Sequence, residues 1–257
     1  MTTPSNERGG RTIRSVEIAF SIIDVLQERG RVGVTELATE LNHSKSTIHS
    51  HLRTLEAQEV LVQDDGKYRL SLRMLDMATQ VREQVGNYDV IRDEVETLAE
   101  ETGEIAQFGI EEHGKVMYLH KATGTQAVET ASRVGTQQPM YSTSLGKTIL
   151  AFLPEDRIDE VIEATTFAAK THKTITSPGE LREDLEMIHE RGYGIDDEEN
   201  FAGLRCVAAP VKNDDTVLGA ISVTGPSSRF TDDVLHDELS ESVQRAANVI
   251  EVNTKFS

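Results

Sequence analysis

Apolar positions repeat with helical spacing from the start of the chain. Val16, Phe20, Ile23 and Leu26 predict a helix over 12–29, which Gly30 ends. Val32-Gly33-Val34 reads as a short extended piece. Thr35 is expected to cap a second helix through Leu41, with Leu37, Ala38 and Leu41 on one face. After a turn at Asn42-His43, Ser44 is expected to cap a third helix running to about Glu56. Leu61-Val62-Gln63 and Tyr68-Arg69-Leu70 then flank Asp64-Asp65-Gly66, and Asp-Gly between two extended runs signals a hairpin. Leu75, Ala78 and Val81 predict a connecting helix over 72–85, and Gly86-Asn87 marks a boundary. Three helices followed by a hairpin within 70 residues is the layout of a winged helix-turn-helix.

Beyond residue 87 the pattern alternates. Helices are expected over 90–101, 144–152, 154–164, 179–191 and 232–254, and strands over 105–110, 116–120, 206–211 and 219–224. Such a mixture predicts an α+β fold around a central antiparallel sheet. There is no internal repeat and no low-complexity tract.

Composition modifies this picture in three ways. The chain has 257 residues, which suits one large domain or two ordinary ones, and a net charge of −18. That charge is unevenly spread: residues 1–75 carry 10 basic and 10 acidic side chains, whereas residues 76–257 carry 16 and 34. A neutral head on an acidic body separates two functions. With 17 Arg against 9 Lys, the acidic, lysine-poor composition also resembles that of proteins from salt-loving archaea, in which salt screens surface repulsion. No apolar run reaches the roughly 18 residues that a membrane helix needs, and the polar N-terminus lacks a signal-peptide core, so a cytoplasmic protein is expected. The single cysteine, Cys206, excludes an internal disulfide and zinc sites built on several cysteines.

In the third helix, Ile48, Leu52 and Leu55 share one side. The other carries Ser46, His49, Ser50 and Arg53, which suit base edges in a major groove. Lys45 and Thr47 flank them and suit phosphates, and Ser44 supplies a helix N-terminus, where anions bind. An ordinary amphipathic helix would look the same in isolation; the preceding short helix, tight turn and wing favour DNA. In the wing, Lys67 and Arg69 either touch backbone or are simply solvated. Residues 1–11, with Arg8 and Arg11, read as a flexible arm, either a plain tail or a phosphate contact.

Several tempting signals fail. Gly146-Lys147-Thr148 resembles the end of a phosphate-binding loop, but Tyr141 stands where that loop needs glycine. Asp196, Asp197, Glu198 and Glu199 lack the alternation and central glycine of a calcium loop, and read as a solvated acidic turn with Asp196 turned inward. No histidine signature accompanies Cys206. His49 and His51 point to different faces. No catalysis, metal or cofactor is expected.

Further along, Ser222 and Thr224 share one face of a strand, and Leu204 and Cys206 share one face of another. Ser144 opens a helix whose free N–H groups favour an anion. These groups either line a pocket for a small polar metabolite or are a plain helix cap and small core residues.

The head resembles the IclR family of regulators, through Ser15-Val16-Glu17 with Ala19, Thr35-Glu36-Leu37-Ala38, Lys45-Ser46-Thr47-Ile48-His49 with Leu52 and Leu55-Glu56, and Tyr68-Arg69-Leu70. The body resembles it through the runs 142–154, 191–200, 203–211 and 220–226. Ser50 stands where the family usually carries Arg, implying a different operator preference. The resemblance implies an arm (1–11), a winged helix-turn-helix (12–72), a linker helix (73–86) and a GAF-like effector-binding domain (87–257). It implies an effector pocket built from Ser144, Leu145, Asp196, Leu204, Cys206, Ser222 and Thr224. It further implies a double-stranded DNA operator, a carboxylate or sugar-derived effector, control of catabolic genes, and a homodimer or homotetramer joined through the linker helix. In a rival reading, the second half is only a dimerisation scaffold.

Overall fold

The structure, a computed structural model, describes residues 11–130 and 132–255. Most of the expected arm, Arg8 included, lies outside them. The chain divides after Gln84 into two compact units.

The first unit contains α1 (Arg14–Arg29), β1 (Val32–Gly33), α2 (Val34–Glu40), α3 (Lys45–Ala57), β2 (Leu61–Asp64), β3 (Lys67–Leu70) and α4 (Arg73–Gln84). The strands form an antiparallel sheet in the order β1-β3-β2. Asp65 and Gly66 both have positive φ, 50° and 74°, as the tightest hairpin turn requires. Ile22, Leu37, Ile48, Leu52 and Tyr68 close the core.

Two details differ from the pattern. On α1 the buried residues are Ile18, Ile22, Val25 and Leu26, while Val16 and Phe20 are 48% and 61% exposed. Two apolar stripes share this helix, and spacing alone does not say which one meets the core. On α2 the cap is Gly33 rather than Thr35: the Gly33 N–H donates to Glu36 Oε2 at 2.7 Å, so the glutamate closes the first turn from inside the helix.

The second unit contains α5 (Tyr88–Thr102), β4 (Ile105–Glu112), β5 (Lys115–Thr123), β6 (Gln137–Pro139), α6 (Ser144–Ala151), α7 (Glu155–Ala164), α8 (Pro178–Arg191), β7 (Gly194–Asp197), β8 (Leu204–Asn213), β9 (Thr216–Pro226) and α9 (Ser240–Lys255). A π-helical stretch, Val234–Leu239, leads into α9. The six strands form one antiparallel sheet, ordered β6-β5-β4-β9-β8-β7.

Alternation sorts the two faces of this sheet. Phe108, Val207, Ile221 and Val223 pack on one side with Val95 and Leu98 of α5 and Val243 of α9. Val116, Ala208 and Ala220 pack on the other with Leu145, Ile149, Leu181 and Leu185. Since Cys206, Ser222 and Thr224 share the parity of Ala208 and Ala220, they face the α6 side. Among the described residues no helix is long and apolar enough to cross a membrane.

Candidate functional site

Helix α3 turns its polar residues outward. Ile48 and Leu52 are fully buried, whereas Ser44, Lys45, Ser46, His49, Ser50 and Arg53 are exposed and Thr47 is half-buried. Ser44 caps the helix, its Oγ accepting the Thr47 N–H at 3.1 Å. The Ser50 hydroxyl donates to Ser46 O at 3.0 Å, which leaves Ser50 facing outward chiefly as an acceptor. His51 Nδ1 lies 2.8 Å from Thr47 O, half-buried and turned away from His49. In the wing Lys67 is exposed, and Arg69 is half-buried and donates to Leu70 O at 3.2 Å. A short helix, a turn, an exposed polar helix and a two-stranded wing are thus presented together.

The second unit brings all seven expected pocket residues around one cavity. Ser144 and Leu145 come from the start of α6, Asp196 from β7, Leu204 and Cys206 from β8, and Ser222 and Thr224 from β9. The free space at its centre is about 30 Å³, room for roughly one water molecule. The cap of α6 is Thr143, not Ser144: Thr143 Oγ1 accepts the Gly146 N–H at 3.0 Å, and Ser144 is the first helical residue. The Ser144 and Leu145 N–H groups belong to the first turn and have no partner within the helix. Gly146 packs so tightly on the Met140 backbone that a Cβ there would collide with it.

The polar end of the cavity is buried chemistry. Asp196 Oδ1 accepts the N–H groups of Glu199 at 2.7 Å and Asn200 at 3.3 Å. Cys206 Sγ lies 3.8 Å from Asp196 Oδ2, and Thr224 Oγ1 donates to that sulfur at 3.2 Å. Burial, then the charge of Glu199, lifts Asp196 to about 7. Burial, then Asp196, pushes the Cys206 thiol well up, and burial raises the Tyr118 phenol. The cysteine is therefore a neutral, unreactive wall group.

The acidic turn is only half solvated: Asp197 and Glu198 stay partly exposed and Asp196 turns inward as expected, but Glu199, read as solvated, is buried too. Asp196 and Glu199 are 3% and 7% exposed. Lys147, fully buried on α6, places its Nζ 2.5 Å from Glu199 Oε1 and 2.8 Å from Asp184 Oδ2. Arg205 and Lys173 pair with Asp197 at 2.5 and 3.1 Å. Lys147, whose pairing is invisible in the local sequence, draws Glu199 inward, while Lys173 holds Asp197 and Glu198 at the surface. A lysine flanked by Leu145, Ile149 and Leu150 on an apolar helix was the available signal for Lys147.

Other cavity residues carried no motif of their own. Gln107 and Tyr118 point in from β4 and β5, Thr130 and Ser132 from the segment between β5 and β6, and Gln138 from β6. Asn200 and Phe201 follow the acidic turn, with Phe201 45% exposed at the cavity's edge. Among the described residues no cluster suited to a metal ion occurs.

An outward-facing helix-turn-helix and wing on one unit, and a polar cavity in the other, define a two-domain DNA-binding transcription regulator. Residues 15–65 match the IclR helix-turn-helix domain and residues 83–252 match the bacterial transcriptional regulator IclR C-terminal domain. The chain belongs to the IclR family of transcriptional regulators. It is 34% identical to the "Probable HTH-type transcriptional regulator ArcR" of Halobacterium salinarum, over 96% of each chain. The crystal structure of the Thermotoga maritima IclR superposes with a TM-score of 0.79 at 28% identity, over 95% of this chain and 99% of that one. An IclR homologue of Microbacterium hydrocarbonoxydans, solved with 4-hydroxybenzoate, shares the fold (TM-score 0.79, 23% identity, 95% and 98% covered). The relatives are transcription regulators, not enzymes.

Proposed function

We propose that the chain controls catabolic genes, for sugars or organic acids, in response to a small metabolite that widens and fills the cavity of its second unit. The observation that carries this reading is the convergence of Ser144, Leu145, Asp196, Leu204, Cys206, Ser222 and Thr224, from four separate elements, on one cavity. The complex of a fold relative with 4-hydroxybenzoate supports it by analogy. The effector is a carboxylate or sugar-derived molecule, received by the N–H groups at the start of α6 and the Ser222 hydroxyl, while Thr224 Oγ1, its proton directed at Cys206, accepts from a ligand hydroxyl.

On the head, Ser46, His49, Ser50 and Arg53 meet base edges in a major groove, while Ser44, Lys45, Thr47, Lys67 and Arg69 hold phosphates. The chain acts as a homodimer or homotetramer, which sets two α3 helices in successive grooves. The exposed apolar residues Leu75, Met77 and Val81 of α4 supply the contact. Effector and operator are coupled because the effector binds one arrangement more tightly than the other. The acidic, lysine-poor composition and the haloarchaeal relative support a cytoplasmic protein adapted to high salt.

The test is a thermal-shift screen of sugar acids, keto acids and aromatic acids, in concentrated KCl, followed by operator binding with and without each hit. A ligand that stabilises the protein and alters its operator affinity is expected. If no metabolite stabilises it, the second unit is a scaffold.

A further inference from the structure

Two lysines stand immediately behind the cavity wall. Lys121 of β5 donates to Ser132 O at 2.8 Å, Ser132 Oγ at 3.2 Å and Thr130 Oγ1 at 3.1 Å. Lys170, between α7 and α8, donates to Asn200 Oδ1 at 2.5 Å and Gln138 Oε1 at 3.1 Å. Thr130, Ser132, Gln138 and Asn200 all line the cavity; the two lysines do not. Partial burial lowers both ammonium pKa values, opposed by Glu129 at Lys121 and by Asp196 at Lys170. Neither lysine forms an ion pair among the described residues, although the chain has 44 acidic side chains against 26 basic ones.

An ammonium group donates and never accepts. It therefore occupies the acceptors of its neighbours and leaves their donors over. Lys170 fixes the amides of Asn200 and Gln138 with oxygen toward itself, so their NH₂ groups remain for whatever enters. Ser132 Oγ accepts from Lys121 and also from Gln107 Nε2 at 2.9 Å, so both its lone pairs are used. Its remaining hydrogen either goes to Thr130 Oγ1, 2.8 Å away, or is free. If it goes to Thr130, whose oxygen already accepts from Lys121, the Thr130 hydrogen is the one left over. On either arrangement this pair offers an O–H donor. Ser144 and Leu145 offer N–H donors from the start of α6. Asp196, protonated up to about pH 7, adds another in acidic solution.

Building on the ligand-site reading above, we propose that Lys121 and Lys170 are positioning residues. They turn the cavity wall into an array of hydrogen-bond donors, and so make it select an oxygen-rich small acid over its neutral counterpart. They do this without touching the ligand. A neutral amide of the same shape brings donors of its own, for which the wall's spare acceptors are Gln107 Oε1, Thr224 Oγ1 and ionised Asp196; on the side set by Lys121 and Lys170 those donors meet other donors, and each mismatch leaves a buried polar group unpaired.

The experiment uses the full chain and matched pairs of probes: lactate and lactamide, gluconate and gluconamide, 4-hydroxybenzoate and 4-hydroxybenzamide. Affinities are measured by calorimetry on the wild type and on Lys121→Met, Lys170→Met, Lys121→Arg and Lys170→Arg. In the wild type at least one acid is expected to bind about tenfold or more tighter than its amide. Each Met variant lowers that ratio severalfold, and each Arg variant, which also only donates, restores much of it. Equal affinity for an acid and its amide in the wild type overturns the proposal while leaving the ligand cavity intact. A ratio unchanged in both Met variants also overturns it. Failure of every probe to bind the wild type removes the ligand-site reading and this proposal together.

Discussion

Lys147 Nζ sits 2.5 Å from Glu199 Oε1 inside the second unit, joining α6 to the turn that carries Asp196 into the cavity. Burial pulls the pKa of this lysine down, but Glu199 and Asp184 together outweigh it and hold the ammonium charged. Replacing Lys147 by Met strands the buried Glu199 carboxylate and the partly buried Asp184 without their cation. A loss of about 3–5 kcal/mol is expected, as for other buried pairs broken from one side. Urea denaturation of the variant checks it, and an unchanged midpoint would contradict the placement of Lys147.

Asp196 gives a pH signature. Its folded pKa, about 7, lies above the unfolded value of 3.8, so the folded chain binds the extra proton between those limits. Its contribution therefore falls as pH rises from about 4 to 7 and stays at its least favourable above that. Asn in its place carries no charge and keeps an oxygen for the Glu199 and Asn200 N–H groups. Asp196→Asn is expected to be more stable than the wild type at pH 8, with the advantage shrinking toward pH 5. Denaturation midpoints at matched salt across that range test it; a difference that does not vary with pH would refute the assignment.

On the head, two neighbours on α3 should separate folding from recognition. Leu52→Ala removes a fully buried side chain and should destabilise the unit by about 2–5 kcal/mol. Exposed Arg53→Ala should leave stability within about 0.5 kcal/mol. With Arg53 at a base edge, that substitution should cost operator binding about 1–3 kcal/mol and relax specificity at one position, whereas loss of a phosphate contact would instead lower the salt slope by about 1. Gel-shift titrations at several KCl concentrations, paired with thermal melts, would distinguish the two effects. Should both variants melt alike, the face assignment is wrong.

Leu75 and Val81 of α4 are 64% and 56% exposed. If this stripe joins two copies, Leu75→Glu with Val81→Glu sets like charges against each other where apolar surface was shared. Sedimentation should then show a smaller species with intact secondary structure. An unaltered mass would place the contact elsewhere.

Much of the architecture was legible because its signals are local. The Asp65-Gly66 turn, the cap at Ser44 and the three-four spacing of Ile48, Leu52 and Leu55 each act within a few residues. Strand parity shows that Ser222 and Thr224 share a face, as do Leu204 and Cys206; that they line a pocket was implied only by the family resemblance. What escaped depends on distant partners. The buried face of α1 is not readable from spacing, because Val16 and Phe20 repeat as regularly as Ile18 and Ile22. Glu199 reads as solvated because its partner, Lys147, lies 52 positions upstream. Thr130, Ser132 and Gln138 belong to no recognisable pattern and reach the cavity only through the path of the chain between β5 and β6.

The rims of the large sheet are its shortest members: β6 has three residues and β7 four, against eight to eleven for β4, β5, β8 and β9. In dilute buffer an excess of eighteen negative charges would keep neighbouring molecules from zipping together along such rims. Concentrated brine shortens the reach of that repulsion to about 3 Å at 1 M and removes the safeguard. What remains is geometry: a ledge three or four residues long gives an incoming strand too little to grip. The fold thus guards against polymerisation by a means that salt does not erase.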